Sequence, residues 1–399
     1  MGPFPTVHVP GVAAIKSIFQ GFLFQVQYSR GSECFSLQSM LQVNNLTVVT
    51  EFFLVGFQNS KIARIFLFCL LLVAYCGTLC GNFLIIILVS FSKILHTPMY
   101  FFLTQLSITD ILLSSDIVPN TLHILLYNGA AMTFATCFTQ LFFLVFSGAF
   151  ECFLLTVMSY DRYVAICNPL HYNSIMTSAN CVKLVVISWL FGFLTAVIDL
   201  YAVSMLTYCG QNIIDHFFCD LAPLIDIACS DTYTIELEVQ ILSFPVLSIP
   251  ITIILISYSN IIVSILRFQS SASRRKAFST CSSHLIVVSI FYITPLGVYV
   301  FPSGGRTLDM RKLFSLLYTV FTPFINPVIY SLKNKDINKS LRQCLVAAQK
   351  FVHPPVQTTA STELSSKGQI HKEPSKPAPS TTNLHLLPAC IEKAGRDEV

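Results

Sequence analysis

Charged residues are scarce in this chain of 399 residues. They make up 11% of the sequence, whereas a soluble domain carries about 25%. Apolar residues make up 54%, so the folded chain cannot cover itself with a hydrated surface. The composition excludes an ordinary soluble enzyme and favours helices that lie in lipid. The formal net charge of +4 is too small to indicate a nucleic-acid partner.

Paired-cysteine metal motifs are also missing. The chain has 14 cysteines but no pair with CxxC spacing, so no zinc site is expected. Five cysteines lie in apolar stretches, where we expect small core residues: Cys69, Cys76, Cys80, Cys152 and Cys281. Four others border or lie in a polar loop, which suits disulfide bonds on an oxidising face: Cys137, Cys209, Cys219 and Cys229. Four cysteines allow three pairings.

Seven long apolar blocks dominate the sequence. They cover residues 65–89, 100–125, 134–160, 182–206, 241–266, 285–301 and 313–332. Each is near the length of about 20 residues that a helix needs to cross a bilayer. Backbone polar groups in lipid must be satisfied within the segment, so these blocks predict an all-α bundle of seven transmembrane helices. No internal repeat is visible, which argues against a transporter built from inverted halves.

Lysine and arginine indicate the orientation, because cytoplasmic segments carry the excess of positive charge. With the N-terminus outside, the cytoplasmic segments hold Lys93, Arg162, Arg267, Arg274, Arg275, Lys276, Lys333, Lys335, Lys339 and Arg342. Arg306, Arg311 and Lys312 lie in a predicted outer loop and weaken this bias without reversing it. Asn45 begins a glycosylation sequon before the first block, and its use also requires an extracellular N-terminus.

The pattern divides the chain into four parts. Residues 1–64 form an extracellular N-terminus, in which 1–39 is an atypical extension. Residues 65–332 form the seven-span domain. Residues 333–351 are spaced as an amphipathic helix, with Ile337 and Leu341 opposite Lys339 and Arg342, and we expect this helix to lie on membrane lipid at the inner surface. Residues 352–399, rich in Pro, Ser, Thr and Lys, predict a disordered cytoplasmic tail.

Polar residues inside the spans carry a cost in lipid and therefore need a function or a partner. The first, second, third and seventh spans hold Asn82, Asp110, Glu151 and Asn326. Two carboxylates with two amides suit a cation or proton site, and an ion or solute carrier using Asp110 and Glu151 is one interpretation. The alternative is a set of hydrogen bonds that join the helices.

An Asp161-Arg162-Tyr163 triplet ends the third span. An arginine at the membrane edge can pair either with a neighbouring aspartate or with another protein. Such an exchange of partners suits a two-state switch. Taken alone, the triplet is explained equally well by an interfacial arginine whose side chain extends from the membrane into water.

The triplet lies in one of six ordered motifs. They are LHTPMYFFL at 95–103, MSYDRYVAIC at 158–167, PLHY at 169–172, HFFCD at 216–220, KAFSTCSSH at 276–284 and PFINPVIYSL at 323–332. With these motifs, the sequence from about 45 to 345 closely resembles the vertebrate odorant (olfactory) receptors, a branch of the rhodopsin-like G-protein-coupled receptors. Ser159 departs from the family's usual alanine, and both ends of the chain are longer than usual.

The resemblance implies roles for matching positions. Asp161, Arg162 and Tyr163, together with Tyr258 and His284, would form the inner switch that meets the G protein. Asn326, Pro327 and Tyr330 would form a hinge in the seventh span, where proline removes a helical donor. Asp110 and Glu151 match a buried acidic pair where a sodium ion is expected, and no other cofactor is implied. The family's disulfide pattern selects Cys137–Cys219 and Cys209–Cys229.

The resemblance also places a ligand pocket in the outer halves of the third, fifth and sixth spans. Its residues would be Leu141, Leu144, Val145, Gly148, Leu242, Ser243, Val246, Tyr292, Leu296 and Tyr299. This apolar set with a few hydroxyls suits a small, mostly neutral, hydrophobic volatile ligand. The implied protein is a multi-pass receptor of the cell membrane that raises cyclic AMP through a stimulatory heterotrimeric G protein. A non-olfactory metabolite sensor of the same fold fits the sequence too.

Overall fold

A computed structural model describes residues 51–57, 60–209, 212–300 and 306–352. The predicted extension 1–39, the Asn45 sequon and the tail after residue 352 lie outside the described residues. So do the side chains of residues 295–300, which include Leu296 and Tyr299 of the predicted ligand set.

Seven helices form the membrane bundle, and an eighth follows them. The first four are α1 Lys61–Phe91, α2 Pro98–Tyr127, α3 Phe134–Cys167 and α4 Ser178–Ser204. The others are α5 Tyr233–Leu266, α6 Ser271–Val300 and α8 Lys335–Val352. Between α6 and α8 lies α7, which consists of Arg306–Leu316, the π turn Leu317–Phe321 and Thr322–Lys333. Within the described part, six of these helices are long and apolar enough to span a membrane, and α6 contributes the shorter apolar stretch Cys281–Thr294.

Helix boundaries differ from the apolar blocks at several ends. α5 begins at Tyr233 and not at 241, α6 begins at Ser271 and not at 285, and α3 continues to Cys167. Hydropathy marks only the part of a helix that lies in hydrocarbon, whereas backbone hydrogen bonds carry the helix on until a cap or breaker stops it. Thr133 supplies such a cap, since its hydroxyl accepts the backbone N–H of Thr136 and fixes the start of α3.

A small sheet covers one end of the bundle. Strand β1 (Glu51–Leu54) lies between β2 (Ala130–Thr133) and β3 (Ile213–Ile214), antiparallel to the first and parallel to the second. Alternate side chains of β1 point inward, and Phe52 and Leu54 are fully buried. Sequence analysis did not predict these strands. We call the three strands the outer sheet, because they lie at the end where α1 begins and α2 ends.

The cysteine prediction was partly wrong. Cys152 and Cys281 are buried as expected, but Cys69, Cys76 and Cys80 of α1 are exposed on the surface of the bundle. An apolar residue is stable against lipid as well as against another helix, so hydrophobicity alone does not separate the two environments.

α7 is irregular where its polar residues lie. The π turn Leu317–Phe321 precedes Pro323 and Pro327, and the Thr322 hydroxyl donates to the Leu317 carbonyl at 3.1 Å. Proline lacks the backbone N–H of a regular helix, and π turns occur often at functional sites. Gly81 of α1 allows close packing here, because a Cβ on it would lie 2.9 Å from the Pro327 ring.

Candidate functional site

The arginine of the triplet is held at the inner end of α3. The Arg162 Nε donates to Asp161 Oδ2 at 2.9 Å, and a second guanidinium nitrogen makes an ion pair with the same oxygen. Tyr172, in the short helix Tyr172–Ile175 after α3, donates from its hydroxyl to Asp161 Oδ1 at 2.7 Å. Asp161 is fully buried, so both of its oxygens are occupied within the chain. Tyr163 is half-buried beside them.

The neighbouring helices add a second contact at this level. The Tyr258 hydroxyl of α5 and the His284 Nδ1 of α6 lie 2.7 Å apart, both in buried side chains. The Tyr100 hydroxyl of α2 donates to the side chains of Asn334 and Asp336 at 2.9 and 3.1 Å, where α7 turns into α8. Polar side chains thus join α5 to α6, and α2 to the turn between α7 and α8, at their inner ends.

A polar core lies farther into the bundle. The Asn326 amide of α7 donates to both oxygens of Asp110, at 3.1 and 3.2 Å. The Asn82 amide of α1 donates to the Pro323 carbonyl at 3.2 Å. Asp110, Glu151, Asn326 and Tyr330 are all buried. Asn326 thus joins α7 to α2 and Asn82 joins α1 to α7, beside the buried side chains of Glu151 and Tyr330.

Several oxygens of this core lack hydrogen-bond partners among the described residues. They are Asn82 Oδ1, Glu151 Oε1 and the hydroxyls of Ser107, Ser114, Ser147 and Tyr330. Ser114 lies one turn from Asp110, and Ser147 lies one turn from Glu151. The described residues contain no group of three or more His, Cys, Asp or Glu that could hold a metal. Two carboxylates with hydroxyl oxygens are a donor set suited to a hard cation of low charge, and these residues fit sodium.

Two disulfide bonds close the opposite end. Cys137 at the start of α3 is joined to Cys219, with Cα atoms 5.4 Å apart, and Cys209 is joined to Cys229 at 5.9 Å. These are the pairings that the resemblance implied. The first bond holds the loop between α4 and α5 against the top of α3, beneath the outer sheet.

Lys312 makes a contact that sequence analysis missed. The sequence predicts an outer-loop charge at this position, but Lys312 lies in the first turns of α7 and its side chain is 3% exposed. Its ammonium donates to the Gly56 carbonyl at 3.0 Å and to Asp215 Oδ1 at 2.5 Å. Lys312 therefore links α7 to the segment after β1 and to the loop after α4. A lysine beside apolar residues gives no sequence signal of such a partner.

The predicted ligand residues occupy different depths. Leu141, Leu144 and Val145 of α3 pack in the outer core, whereas Tyr292 of α6 packs against the inner core. Leu242, Ser243 and Val246 of α5 are half-buried. A Cβ on Gly148 would meet only the Tyr318 hydroxyl of α7, 3.7 Å away. Gly148 therefore faces open space, and Tyr318, which we had not predicted, borders it.

Comparison with known proteins decides the family. A model of the family described as olfactory receptor matches residues 68–348, well over half of the chain. The chain belongs to the olfactory receptor family. It is 46% identical over 305 residues to human olfactory receptor 11L1, covering 76% of this chain and 95% of that one. It is 42% identical to the rat olfactory receptor-like protein I9, with 76% and 97% coverage.

A solved structure shows the same fold. The crystal structure of squid rhodopsin aligns with 78% of the receptor and 94% of its own chain, with a TM-score of 0.57 at 18% identity. The seven-helix bundle predicted for the olfactory receptor is thereby confirmed. The family is one of receptors and not of enzymes, and neither comparison favours the carrier interpretation of Asp110 and Glu151.

The receptor's outer loop has a histidine that gives a pH prediction. His216 is buried in that loop, and desolvation, followed by the nearby Lys312 charge, lowers its pKa from 6.5 to about 3. The unfolded chain therefore binds a proton below pH 6.5 that the folded chain does not. The contribution of His216 to the free energy of unfolding is therefore highest above pH 6.5, and it falls by about 1.4 kcal/mol for each pH unit below that.

The measurement is the apparent Tm of purified receptor between pH 7 and 4.5. Burial raises the pKa of the Asp220 and Asp226 carboxyls in the same loop, which acts in the opposite direction. We therefore compare the receptor with His216→Gln, which keeps both aspartates. The Tm of the wild type should fall faster on acidification than that of the variant. Parallel curves would contradict a neutral, buried His216.

Proposed function

We propose that this receptor binds a small, mostly neutral, hydrophobic volatile ligand in the outer half of the bundle. Binding there favours a state whose inner face activates a stimulatory heterotrimeric G protein, which raises cyclic AMP. The observation that carries this proposal is the Arg162–Asp161 ion pair at the inner end of α3, closed by the Tyr172 hydroxyl. An arginine held by an internal partner is available to an external one when that partner moves away.

The outer half supports the ligand class. Leu141, Leu144 and Val145 provide apolar walls, Gly148 leaves open space, and the Tyr318 and Ser243 hydroxyls provide hydrogen bonds. Burial holds an apolar molecule in such a site, and a few polar groups orient it. A ligand shifts the receptor only by its different affinities for the two states, and α3 connects this region directly to Arg162.

The proposed orientation puts the N-terminus outside the cell, in the plasma membrane. Both disulfides lie at the end where α1 begins, and disulfides persist in oxidising compartments. Residues 1–64 would then be extracellular, with Asn45 glycosylated, and 65–332 would span the membrane. Residues 333–351 would lie on the inner lipid surface, and 352–399 would form the cytoplasmic tail.

Sodium is a further part of the proposal. Asp110 and Glu151 would hold the ion with the hydroxyls of Ser114 and Ser147, whose oxygens have no partner among the described residues. Bound sodium supplies positive charge that stabilises the ionised carboxylates in the bundle interior. The chain's own residues hold the site in place, since Asn326 fixes Asp110 against α7.

The test is a screen of volatile compounds with a cyclic AMP readout. Cells would express the chain from Met1 and, in parallel, from Met40, and surface staining would confirm that the receptor reaches the plasma membrane. A concentration-dependent response supports the proposal, and a response from both forms shows that 1–39 is dispensable. Surface receptor that responds only to non-volatile, charged metabolites would contradict the proposed ligand class.

Gly148 gives a sharper test of the ligand position. Gly148→Leu should fill the space beside Tyr318 and raise the half-maximal ligand concentration at least tenfold, because the side chain occupies the ligand's volume. Gly148→Ala adds a Cβ that meets only the Tyr318 hydroxyl at 3.7 Å, and it should change the response little. Dose–response curves at matched surface expression give the comparison. An unaltered Gly148→Leu curve would place the ligand elsewhere.

A further inference from the structure

A second cavity opens on the outside of the bundle, between the outer parts of α2 and α3. Its volume is about 410 Å³, and Asp116, Asn120, Met132, Thr136 and Thr139 contribute to its wall together with Gln140. We call it the Asp116 groove. Thr139 lies about 8 Å below the start of α3 at 1.5 Å per residue, so the groove lies in the outer part of that helix.

The groove is separate from the proposed ligand cavity. Thr139 and Gly148 are nine residues apart on α3, which puts them half a turn apart around the helix axis. Thr139 is exposed on the bundle surface, whereas Leu141 and Leu144 are buried inside. A molecule in the Asp116 groove therefore approaches from the surrounding water or lipid, and not through the bundle interior.

Most polar groups of the groove already have partners. The Gln140 amide donates to the Asp116 carbonyl at 3.0 Å and accepts from the Cys219 N–H at 3.0 Å. The hydroxyls of Thr136 and Thr133 lie 3.0 Å apart, and the Thr139 hydroxyl donates to the Ala135 carbonyl at 2.7 Å. The Asn120 amide faces the Phe217 carbonyl at 3.5 Å. These contacts hold the walls in place and use the Thr139 hydroxyl hydrogen and both ends of the Gln140 amide.

Asp116 is the exception. Asp116 is half-buried, and its Oδ2 atom is buried with no hydrogen-bond partner in the part of the chain that the structure describes. The two ion pairs found there join Arg162 to Asp161 and Lys312 to Asp215, so neither provides a countercharge for Asp116. A carboxylate withdrawn from water is costly unless a cation or a donor pairs with it.

We infer that the Asp116 groove binds a small organic ammonium group. Such a group supplies N–H or N-methyl contacts to the Asp116 carboxylate together with the positive countercharge that this carboxylate lacks. Met132 and Pro119 offer apolar surface to the carbon atoms of the ligand. One carboxylate with occupied amides around it provides too few free oxygens for a divalent metal. The ammonium comes either from a soluble amine or from the headgroup of an outer-leaflet lipid.

The experiment uses purified full-length receptor in nanodiscs of phosphatidylglycerol, which has no ammonium headgroup. Benzylammonium should raise the apparent Tm in a saturable manner, and benzyl alcohol, a neutral molecule of similar shape, should not. Asp116→Asn should raise the midpoint of the benzylammonium titration at least tenfold. Asp199→Asn, which removes a buried carboxylate of α4 outside the groove, should leave that midpoint unchanged.

Equal titrations for the wild type and Asp116→Asn, or equal effects of the amine and the alcohol, would overturn the inference. A second arm repeats the titration in two uncharged lipids, digalactosyldiacylglycerol and phosphatidylcholine, because an anionic surface concentrates cations by itself; only the second lipid has an ammonium headgroup. A midpoint at least tenfold higher in the choline lipid than in the galactolipid identifies the headgroup as a competing occupant, and an unchanged midpoint identifies the soluble amine as the ligand. None of these measurements requires an odorant response, so their failure is distinguishable from failure of the proposed function.

Discussion

Arg162→Ala should reduce the ligand-evoked cyclic AMP response to the background of cells without receptor, while the receptor still reaches the surface. The guanidinium is the group that we propose exchanges Asp161 for the G protein, and alanine removes both contacts. Asp161 keeps the Tyr172 hydroxyl as a partner, and the substitution relieves the burial of an arginine. The fold should therefore tolerate the loss better than signalling does.

The measurement pairs cyclic AMP with surface staining of the same cells. Arg267→Ala is the matched control, because Arg267 is an exposed basic residue at the inner end of α5 without an ion pair among the described residues. It should retain most of the response. If Arg162→Ala signalled like the wild type at equal surface density, the switch assignment would be wrong.

Cys219→Ala should nearly abolish surface expression. In the chain-entropy account, a disulfide spanning 82 residues stabilises a fold by about 4–5 kcal/mol. Folded domains are stable by only about 5–15 kcal/mol. The substitution also leaves the Cys137 thiol alone in a fully buried site. Flow cytometry on cells with and without permeabilisation would show retained protein inside and little outside.

Two controls separate the bond from the residue. The double variant with Cys137→Ala and Cys219→Ala should be as poorly expressed as Cys219→Ala alone, because the disulfide bond is lost in both variants. Cys69→Ala removes an exposed cysteine of α1 and should express normally. Normal surface expression of the double variant would show that the bond is dispensable.

The membrane bundle could be predicted from the sequence because lipid imposes a simple rule. Segments such as 65–89 and 134–160 must be apolar for about 20 residues and helical throughout. The outer sheet could not be predicted in the same way. β1 is four residues long, and its partners Thr133 and Ile214 lie far along the chain, so its register depends on tertiary packing.

The candidate site likewise contains residues that the sequence predicts and residues whose roles depend on tertiary packing. Asp110 and Glu151 were found because a charge in a span requires a reason. Asp116 carries the same signal, and we passed over it. Which face of α2 each aspartate occupies depends on the rotation of the helix against α3, and the low amphipathicity of a lipid-embedded helix does not reveal that rotation. Lys312 was missed because its partners, Gly56 and Asp215, are distant in sequence.

The position of β1 has a consequence for biosynthesis. Among the described strands β1 leaves the ribosome first, yet Leu54 pairs with Ile214, 160 residues later. At about 5–20 residues per second, this strand waits roughly 10–30 s for its partner. The helices α1 to α4 are synthesised during that interval. In the proposed orientation, the edge of β1 that later pairs with β3 faces the lumen unpaired, and unpaired strand edges invite aggregation. In that orientation we expect the yield of folded receptor to depend on the rate at which the segment between β1 and β3 is synthesised.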